Sequence, residues 1–147
     1  MTRRTVVSSG TCGDDLKWEI TYTDDENSLT LSITGTGDMD NYRYSSPLTP
    51  AEYIDKITSI ELPNGLTSIG DHAFESCESL TSIEIPASVT EIGGFAFRNC
   101  EKLASVTFES GSQLNTIDAY AFSDCVSLIS IEIPAGVDYI DRFAFNK

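Results

Sequence analysis

Three cysteines recur at the same place in a repeated phrase, and a row of thiols could carry chemistry. Cys77, Cys100 and Cys125 each lie three residues after an Ala-Phe pair and three residues before a leucine. Neighbouring thiols could form a disulfide or share a zinc ion. However, zinc needs four ligands around one point whereas a column is linear, and one disulfide would leave the third cysteine unpaired. We therefore expect buried free thiols that pack as small hydrophobic groups, and no metal.

The single histidine could act as a base for one of these thiols. His72 is close in sequence to Cys77, but no third residue is apparent that would orient the ring. His72 also occupies a column that otherwise holds Phe95, Tyr120 and Phe143, so we expect a ring within an aromatic stack. The chain has no phosphate-binding loop, no H-E-x-x-H and no G-x-S-x-G. We therefore predict that it is not an enzyme and needs no cofactor.

Glutamates and serines also recur at fixed positions, on the segments that we predict to be strands. Their side chains should point outward from a concave sheet, because each lies between apolar residues. General acid–base catalysis would need a raised carboxyl pKa in a closed pocket, which an exposed strip does not provide. Two interpretations stay open, a solvated surface and a partner-binding face. We call this set the polar strip, and it consists of Ser59, Glu61, Ser82, Glu84, Ser105, Thr107, Ser130 and Glu132.

One further pattern could bind a cation. Asp38 and Asp40 are separated by one residue, as in calcium-binding loops. The glycine and the distant glutamate of an EF-hand are missing at the required spacing. We therefore expect a turn here.

The overall charge excludes some classes of partner. Nine lysines and arginines stand against 23 aspartates and glutamates, for a net charge of −14. Nucleic-acid binding depends on cationic contacts with phosphates, so we expect no nucleic-acid partner. The chain has no run of about 18 apolar residues, so we expect no membrane insertion.

The elements that would position these residues are repeats. The phrase Ile60-Glu-Leu-Pro recurs from residues 83, 106 and 131, in steps of 23, 23 and 25 residues. Several other columns also repeat in steps of 23 and 25 residues, which is typical of a solenoid. The longer step contains Glu109-Ser-Gly-Ser-Gln, where two extra polar residues would widen a turn without shifting the core columns.

Within one repeat the sequence predicts a strand, a second extended piece and a turn. Leu80–Ile85 alternates as a strand with Ile83 and Ile85 inward, and Pro86 ends it because proline cannot donate to the ladder. Residues 89–92 predict a second extended piece on the far side of the coil. Gly93-Gly94 would then turn the chain into a tight helical turn over residues 95–100.

The first 56 residues do not repeat. Residues 16–21 and 29–34 alternate and predict a β-hairpin, joined by an acidic turn over residues 24–28. We expect this hairpin to cap the open end of the solenoid. The prediction is therefore one continuous domain, with a cap and connection at residues 1–56 and repeats at residues 57–147, the last of them incomplete.

The unit C-x-x-L-x-x-I-x-I-P, followed by (V/L)-x-x-I-x-x-x-A-F, resembles the BspA-like leucine-rich repeats of bacterial and protist surface proteins. Residues 9–13 and 31–39 are similar to the segment that often precedes those repeats. The resemblance implies a curved, right-handed solenoid of about four coils, in a larger cell-surface or secreted protein. Known members include adhesins, so it also implies a protein or glycan ligand.

Three functional hypotheses follow. The first is a non-catalytic binding module of the adhesin or receptor kind, and the others are a structural spacer and an intracellular interaction adaptor. The last coil has no polar cap after Asn146-Lys147. We therefore expect that the natural chain continues, that this end packs against another molecule, including a second copy end to end, or that it frays.

Overall fold

The computed structural model describes residues 5–24 and 27–147, and it begins with a three-stranded antiparallel sheet. Strand β1 (Val6–Gly13) pairs with β2 (Asp15–Tyr22), and β2 pairs with β3 (Leu29–Asp38). The predicted hairpin is therefore correct but incomplete, since β1 was missed. Within β1, Gly10 lies opposite Trp18, and a Cβ atom at Gly10 would come within 2.8 Å of the indole nitrogen. The turn predicted at residues 24–28 includes residues 25 and 26, which lie outside the described part of the chain.

Strand β3 joins this cap to the coils. Its first half pairs in parallel with β4 (Ile57–Glu61), which follows a short 3-10 helix, Ile54–Lys56. Its second half pairs in parallel with β5 (Gly65–Ile69). Strand β3 therefore pairs with the first strand on each face of the solenoid. In this way the cap covers the backbone of the first coil.

The continuous parallel sheet of the solenoid lies on one face. It runs from β5 through β7 (Glu91–Ile92) and β9 (Thr116–Ile117) to β10 (Tyr139–Ile140). Isoleucines occupy the same register position in all four strands. This face contains the second extended piece that the sequence predicts in each repeat.

The other face contains the polar strip, and it is less regular than we predicted. Strand β6 (Ser82–Ile85) pairs in parallel with β8 (Ser105–Phe108). Among the described residues no ladder joins β4 to β6, and residues 129–134 form no strand. The prediction that the whole polar strip lies on strands is therefore wrong for Ser130 and Glu132 in the fourth coil.

The connection after the second strand of each coil consists of successive turns. The predicted helical turn at residues 95–100 is wrong, because successive backbone amides donate alternately to a carbonyl of the same coil and to a carbonyl of the next coil. Ala96 donates to the carbonyl of Gly93 three residues back, whereas Phe97 donates to Ala121 of the next coil at 2.8 Å. A helix would direct all of these donors along its own axis. The alternation requires a left-handed backbone (φ of 59–63°) at His72, Ser76, Phe95, Asn99, Tyr120 and Asp124.

Aromatic columns fill the space inside and beside these turns. Phe74, Phe97 and Phe122 are buried, together with the alanine that precedes each of them. Neighbouring rings lie 5.2–5.4 Å apart between centroids. Because each coil contributes one ring to the column, the core grows by one layer per repeat and cannot form from a single coil.

Candidate partner-binding site

The polar strip lies on β4, β6 and β8 for the first three coils. Ser82, Glu84, Ser105 and Thr107 are exposed, as is Glu61, while Ser59 is half-buried. The side chains between them point to the core, where Ile60, Ile83, Ile85 and Val106 are buried. This is the alternation expected of strands with one solvated face. Ser82 lies opposite Ser105 and Glu84 opposite Thr107, as the repeat spacing predicts.

The strip continues onto the cap, which the sequence did not indicate. Ser32 on β3 lies in register with Glu61, and its hydroxyl donates to the Glu61 carboxylate at 3.1 Å. Thr30 is in register with Ser59, although it is buried. The cap does not share the repeat of the coils, so column counting could not align these residues.

Ser130 and Glu132 are exposed, but they do not lie on a fourth strand. Among the described residues, no backbone hydrogen bond joins residues 129–133 to β8. The fourth coil rejoins the third at both ends of this stretch. The Ser127 hydroxyl donates to the carbonyl of Glu101 at 2.6 Å, and the Asp138 amide donates to that of Asn115 at 2.9 Å.

A cleft of about 730 Å³ separates β8 from this stretch. Its size is within the range of ligand sites in proteins, about 300–1,000 Å³. Half of the polar strip lines it, together with apolar residues of both coils. The lining includes Ser105, Val106, Thr107, Phe108, Glu109, Gly111, Ser112, Ser130, Ile131, Glu132, Ile133 and Pro134.

The two-residue insertion borders the cleft. The wider turn bonds back to the second coil, since Gln113 donates to the carbonyl of Ala87 at 2.9 Å. The Ala87 amide in turn donates to the carboxylate of Glu109 at 3.1 Å. The turn itself uses Gly111 with φ of +81°. Gln113 and Glu109 thus both bond to Ala87 of the second coil, while Glu109, Gly111 and Ser112 also line the cleft.

The cysteine column is buried inside the coils. Cys100 donates its thiol hydrogen to the carbonyl of Phe74 at 3.4 Å, and Cys125 donates to that of Phe97 at 3.1 Å. The hydrogen bond with Cys100, together with burial, raises the pKa of Cys125. A hydrogen bond with Cys125 lowers the pKa of Cys100, but the hydrogen bond with Cys77 and burial outweigh it and raise this pKa well above its usual value. Cys77, Cys100 and Cys125 are all buried, which confirms that part of the prediction.

The histidine stacks as predicted. The ring of His72 lies 4.7 Å from that of Phe95, with 3° between their planes, and the stack continues through Tyr120 to Phe143. Nδ1 of His72 is 2.5 Å from a carboxylate oxygen of Glu75. The side chains of His72 and Glu75 are partly exposed, whereas the thiols of the cysteine column are buried.

Acidic residues also gather on the continuous sheet, opposite the polar strip. Glu91 forms a side-chain hydrogen bond with Asp118, and this bond, partial burial and the negative charges of Asp118, Asp71 and Asp38 raise the pKa of Glu91 to about 7. In the described ranges, no group of three or more His, Cys, Asp or Glu side chains is arranged to hold a metal ion. Asp38 instead accepts a hydrogen bond from the Thr67 hydroxyl at 2.6 Å.

Comparison with known proteins identifies the repeat. Residues 52–147 match the family model described as BspA type leucine rich repeat region (6 copies). The chain belongs to this family. Repeats of this family are typically protein-interaction modules. Comparison with curated proteins finds no match.

Several solved structures share the fold of this BspA-type chain. A leucine-rich repeat protein from Eubacterium ventriosum is 27% identical with a TM-score of 0.71, and the match covers 95% of this chain and 36% of that one. A leucine rich cell surface protein from Faecalibacterium prausnitzii is 27% identical with a TM-score of 0.50, covering 95% and 33%. The Treponema pallidum (T. pallidum) leucine rich repeat protein is 26% identical with a TM-score of 0.50, covering 84% and 50%. The chain thus spans a third to a half of the length of these relatives.

Within the described residues, no helix is both long enough and apolar enough to span a bilayer.

Proposed function

We propose that this chain is a non-catalytic module that binds a macromolecular partner, a protein or a glycan, through the polar strip and the adjoining cleft. The observation that carries the proposal is their continuity. Ser82 and Glu84 on β6, with Ser105 and Thr107 on β8, are exposed and lead directly into a cleft of about 730 Å³ that is lined by four residues of the same strip. An ordered sheet that presents polar groups beside a partly apolar cleft suits specific recognition.

The charge of the strip indicates the chemistry of the partner. Glu61, Glu84 and Glu132 are its only charged members, and the whole chain carries a net charge of −14. An acidic face attracts cationic partners and repels anionic ones during encounter. The contacting surface of the partner is therefore basic or neutral, and it is not nucleic acid.

We place this binding outside the cell, as a cell-surface or secreted activity. The match to a protein described as a leucine rich cell surface protein supports this location. We also propose that residues 1–56 and 57–147 act as one continuous domain, since β3 pairs with both β4 and β5. A structural spacer and an intracellular adaptor are the competing functions, and binding of an extracellular partner through the strip would argue against both.

An array of purified extracellular-matrix proteins and glycans tests the proposal. Each partner that is captured is measured again with a variant in which Ser82, Glu84 and Ser105 are replaced by alanine. A matched variant replaces Thr90, Thr116 and Asp138 on the opposite sheet. Capture that is lost only with the first variant supports recognition by the strip. Capture that is equal for both variants contradicts it.

The apolar end of the fourth coil supports a second proposal, end-to-end association between copies. Core columns are uncovered there, since Ile140 is 41% exposed whereas its counterparts Ile69, Ile92 and Ile117 are buried, and Ile131, Ile133 and Val137 are only partly buried. Burial of such a patch would be favourable by about 25 cal/mol per Å² of apolar area. Sedimentation velocity of the wild type and of Ile140→Ser tests this: a dimer that is lost in the variant supports the proposal, and a monomer at all concentrations contradicts it.

A further inference from the structure

We infer that the cleft between the third and fourth coils binds an extended, basic peptide, which adds as a strand to the free edge of β8. This inference rests on the proposed function and names the partner class for the cleft. Three features of the cleft carry it: an open strand edge, an apolar floor and an acidic rim.

The open edge follows from the direction of the backbone donors in β8. Ser105 donates to the carbonyl of Thr81 and Glu109 donates to that of Ile85, both on the side of the second coil. Successive peptide groups of a strand point to opposite sides, so the backbone groups of Val106 and Phe108 face the cleft. No backbone hydrogen bond of the described residues crosses the cleft to residues 129–133. A row of unpaired donors and acceptors is a template for another extended chain.

The floor of the cleft gives such a strand a place for apolar side chains. Phe108, Ile131 and Ile133 line it and pack against the core while keeping part of their surface accessible. A strand alternates its side chains between two faces. An inserted peptide would therefore place every second side chain on this floor and the others in solvent. The four residues of β8 would pair with a segment of about four or five residues, roughly 13–17 Å long.

The rim of the cleft favours positive charge on the outward side chains. Glu109 and Glu132 are the only charged residues that line it, and no lysine or arginine does. Glu84 is exposed on the neighbouring strand and adds to the same field. Lysine or arginine side chains at alternate positions of the peptide would lie beside these carboxylates. An acidic peptide would meet repulsion, and a second copy of this chain would bring its own net charge of −14.

The probe for the test is a fluorescein-labelled eight-residue peptide of alternating lysine and valine, measured by fluorescence anisotropy on the full chain. Two matched peptides separate the contribution of positive charge from that of backbone hydrogen bonding. One has glutamate in place of lysine, and the other is N-methylated along its backbone, which keeps the charges but removes the hydrogen-bond donors. We expect the lysine peptide to bind, and each matched peptide to bind at least tenfold more weakly.

Two variants locate the binding. Glu132→Lys changes the rim of the cleft, while Asp138→Lys makes the same charge change in the same coil on the opposite sheet. We expect Glu132→Lys to weaken the lysine peptide at least tenfold and Asp138→Lys to weaken it less than threefold. Equal losses would show attraction by net charge alone and would overturn the inference. Undiminished binding of the N-methylated peptide would also overturn it.

The array experiment on the strip keeps the two proposals distinguishable. If a captured partner depends on Ser82, Glu84 and Ser105 while the lysine peptide does not bind, the peptide inference is wrong and the proposed function stands. If the lysine peptide binds in a Glu132-dependent manner while every captured partner is indifferent to the strip variant, the cleft is a peptide site and the strip is not a recognition surface.

Discussion

The ring of Phe97 stacks on that of Phe122 from the next coil, with centroids 5.2 Å apart and 3° between the ring planes. Both side chains are buried. The same pair of coils is joined by the Phe97 amide, which donates to Ala121, and by the Cys125 thiol, which donates to Phe97. The Ala-Phe-x-x-Cys-x-x-Leu phrase is therefore a structural repeat unit, and its spacing records the length of one coil.

Replacement of Phe97 by alanine should remove the middle of this column. The ring of Phe97 contacts the rings of both Phe74 and Phe122. The alanine variant therefore loses the free energy of burying this ring and also leaves a cavity between its two neighbours. We expect the free energy of unfolding to fall by about 3–5 kcal/mol, measured by chemical denaturation. Tyr44→Ala is the control, because Tyr44 is 91% exposed and its loss should leave stability nearly unchanged. Equal stability of Phe97→Ala and the wild type would refute the role of the column.

The cysteine thiols should be unreactive in the folded protein. Cys77, Cys100 and Cys125 are buried, and burial with the nearby charge of Asp40 raises the pKa of Cys12 to about 11. Since the thiolate is the reactive form, a chromogenic disulfide reagent at pH 8 should label almost no thiol in the native state and all four in denaturant. Rapid native labelling of any one of them, at the rate of free cysteine, would contradict the burial of that residue.

Glu91 should make the protein less stable as the pH rises from about 4.5 to about 7. Its pKa is raised from 4.5 to about 7 by the hydrogen bond with Asp118, by burial and by neighbouring carboxylates. The folded state therefore holds this proton more tightly than the unfolded state. The stabilisation is complete below about pH 4.5 and is lost as the pH rises through 7.

Glu91→Gln keeps a neutral side chain at every pH and removes this contribution. We expect the melting temperature of Glu91→Gln to fall less between pH 5 and pH 8 than that of the wild type. Glu84→Gln, an exposed glutamine substitution on the opposite face, is the matched control and should retain the pH dependence of the wild type. An identical pH dependence for Glu91→Gln and the wild type would show that Glu91 does not share its proton with Asp118 in the fold.

The repeated part of the fold could be predicted because every coil contributes the same residue type to the same column. Ile92 and Ile117 are in register on neighbouring strands, and their spacing in the sequence is the length of one coil. The thiol column and the aromatic stack follow from the same periodicity. The outward direction of the Glu84 side chain could be predicted from the alternation of polar and apolar residues within its own strand.

The features that the sequence did not reveal depend on contacts between segments of different spacing. Strand β1 has glycine near its centre, where a strand-forming side chain would be expected. In the structure Gly10 lies opposite Trp18 on β2, and the indole occupies the space beside it. The residues around Ile131 are almost identical to those around Ile83 in the second repeat. They nevertheless form no strand, because strand formation also requires hydrogen bonds with the neighbouring coil. The two-residue insertion that borders the same cleft lies some twenty residues earlier, at Glu109–Gln113. The left-handed backbone at Phe95 was also hidden, since aromatic residues rarely adopt it.

The central claim is that the repeated phrase builds the scaffold while the polar strip between its copies binds the partner. The most direct test measures two variants in two assays, the dissociation constant for a partner captured on the array and the free energy of unfolding. The Ser82→Ala, Glu84→Ala and Ser105→Ala triple variant should bind at least tenfold more weakly, with stability within about 0.5 kcal/mol of the wild type, as is usual for surface substitutions. Phe97→Leu should lose stability while its folded fraction keeps the affinity of the wild type. Full affinity in the triple variant, or lost affinity in folded Phe97→Leu, would contradict the account.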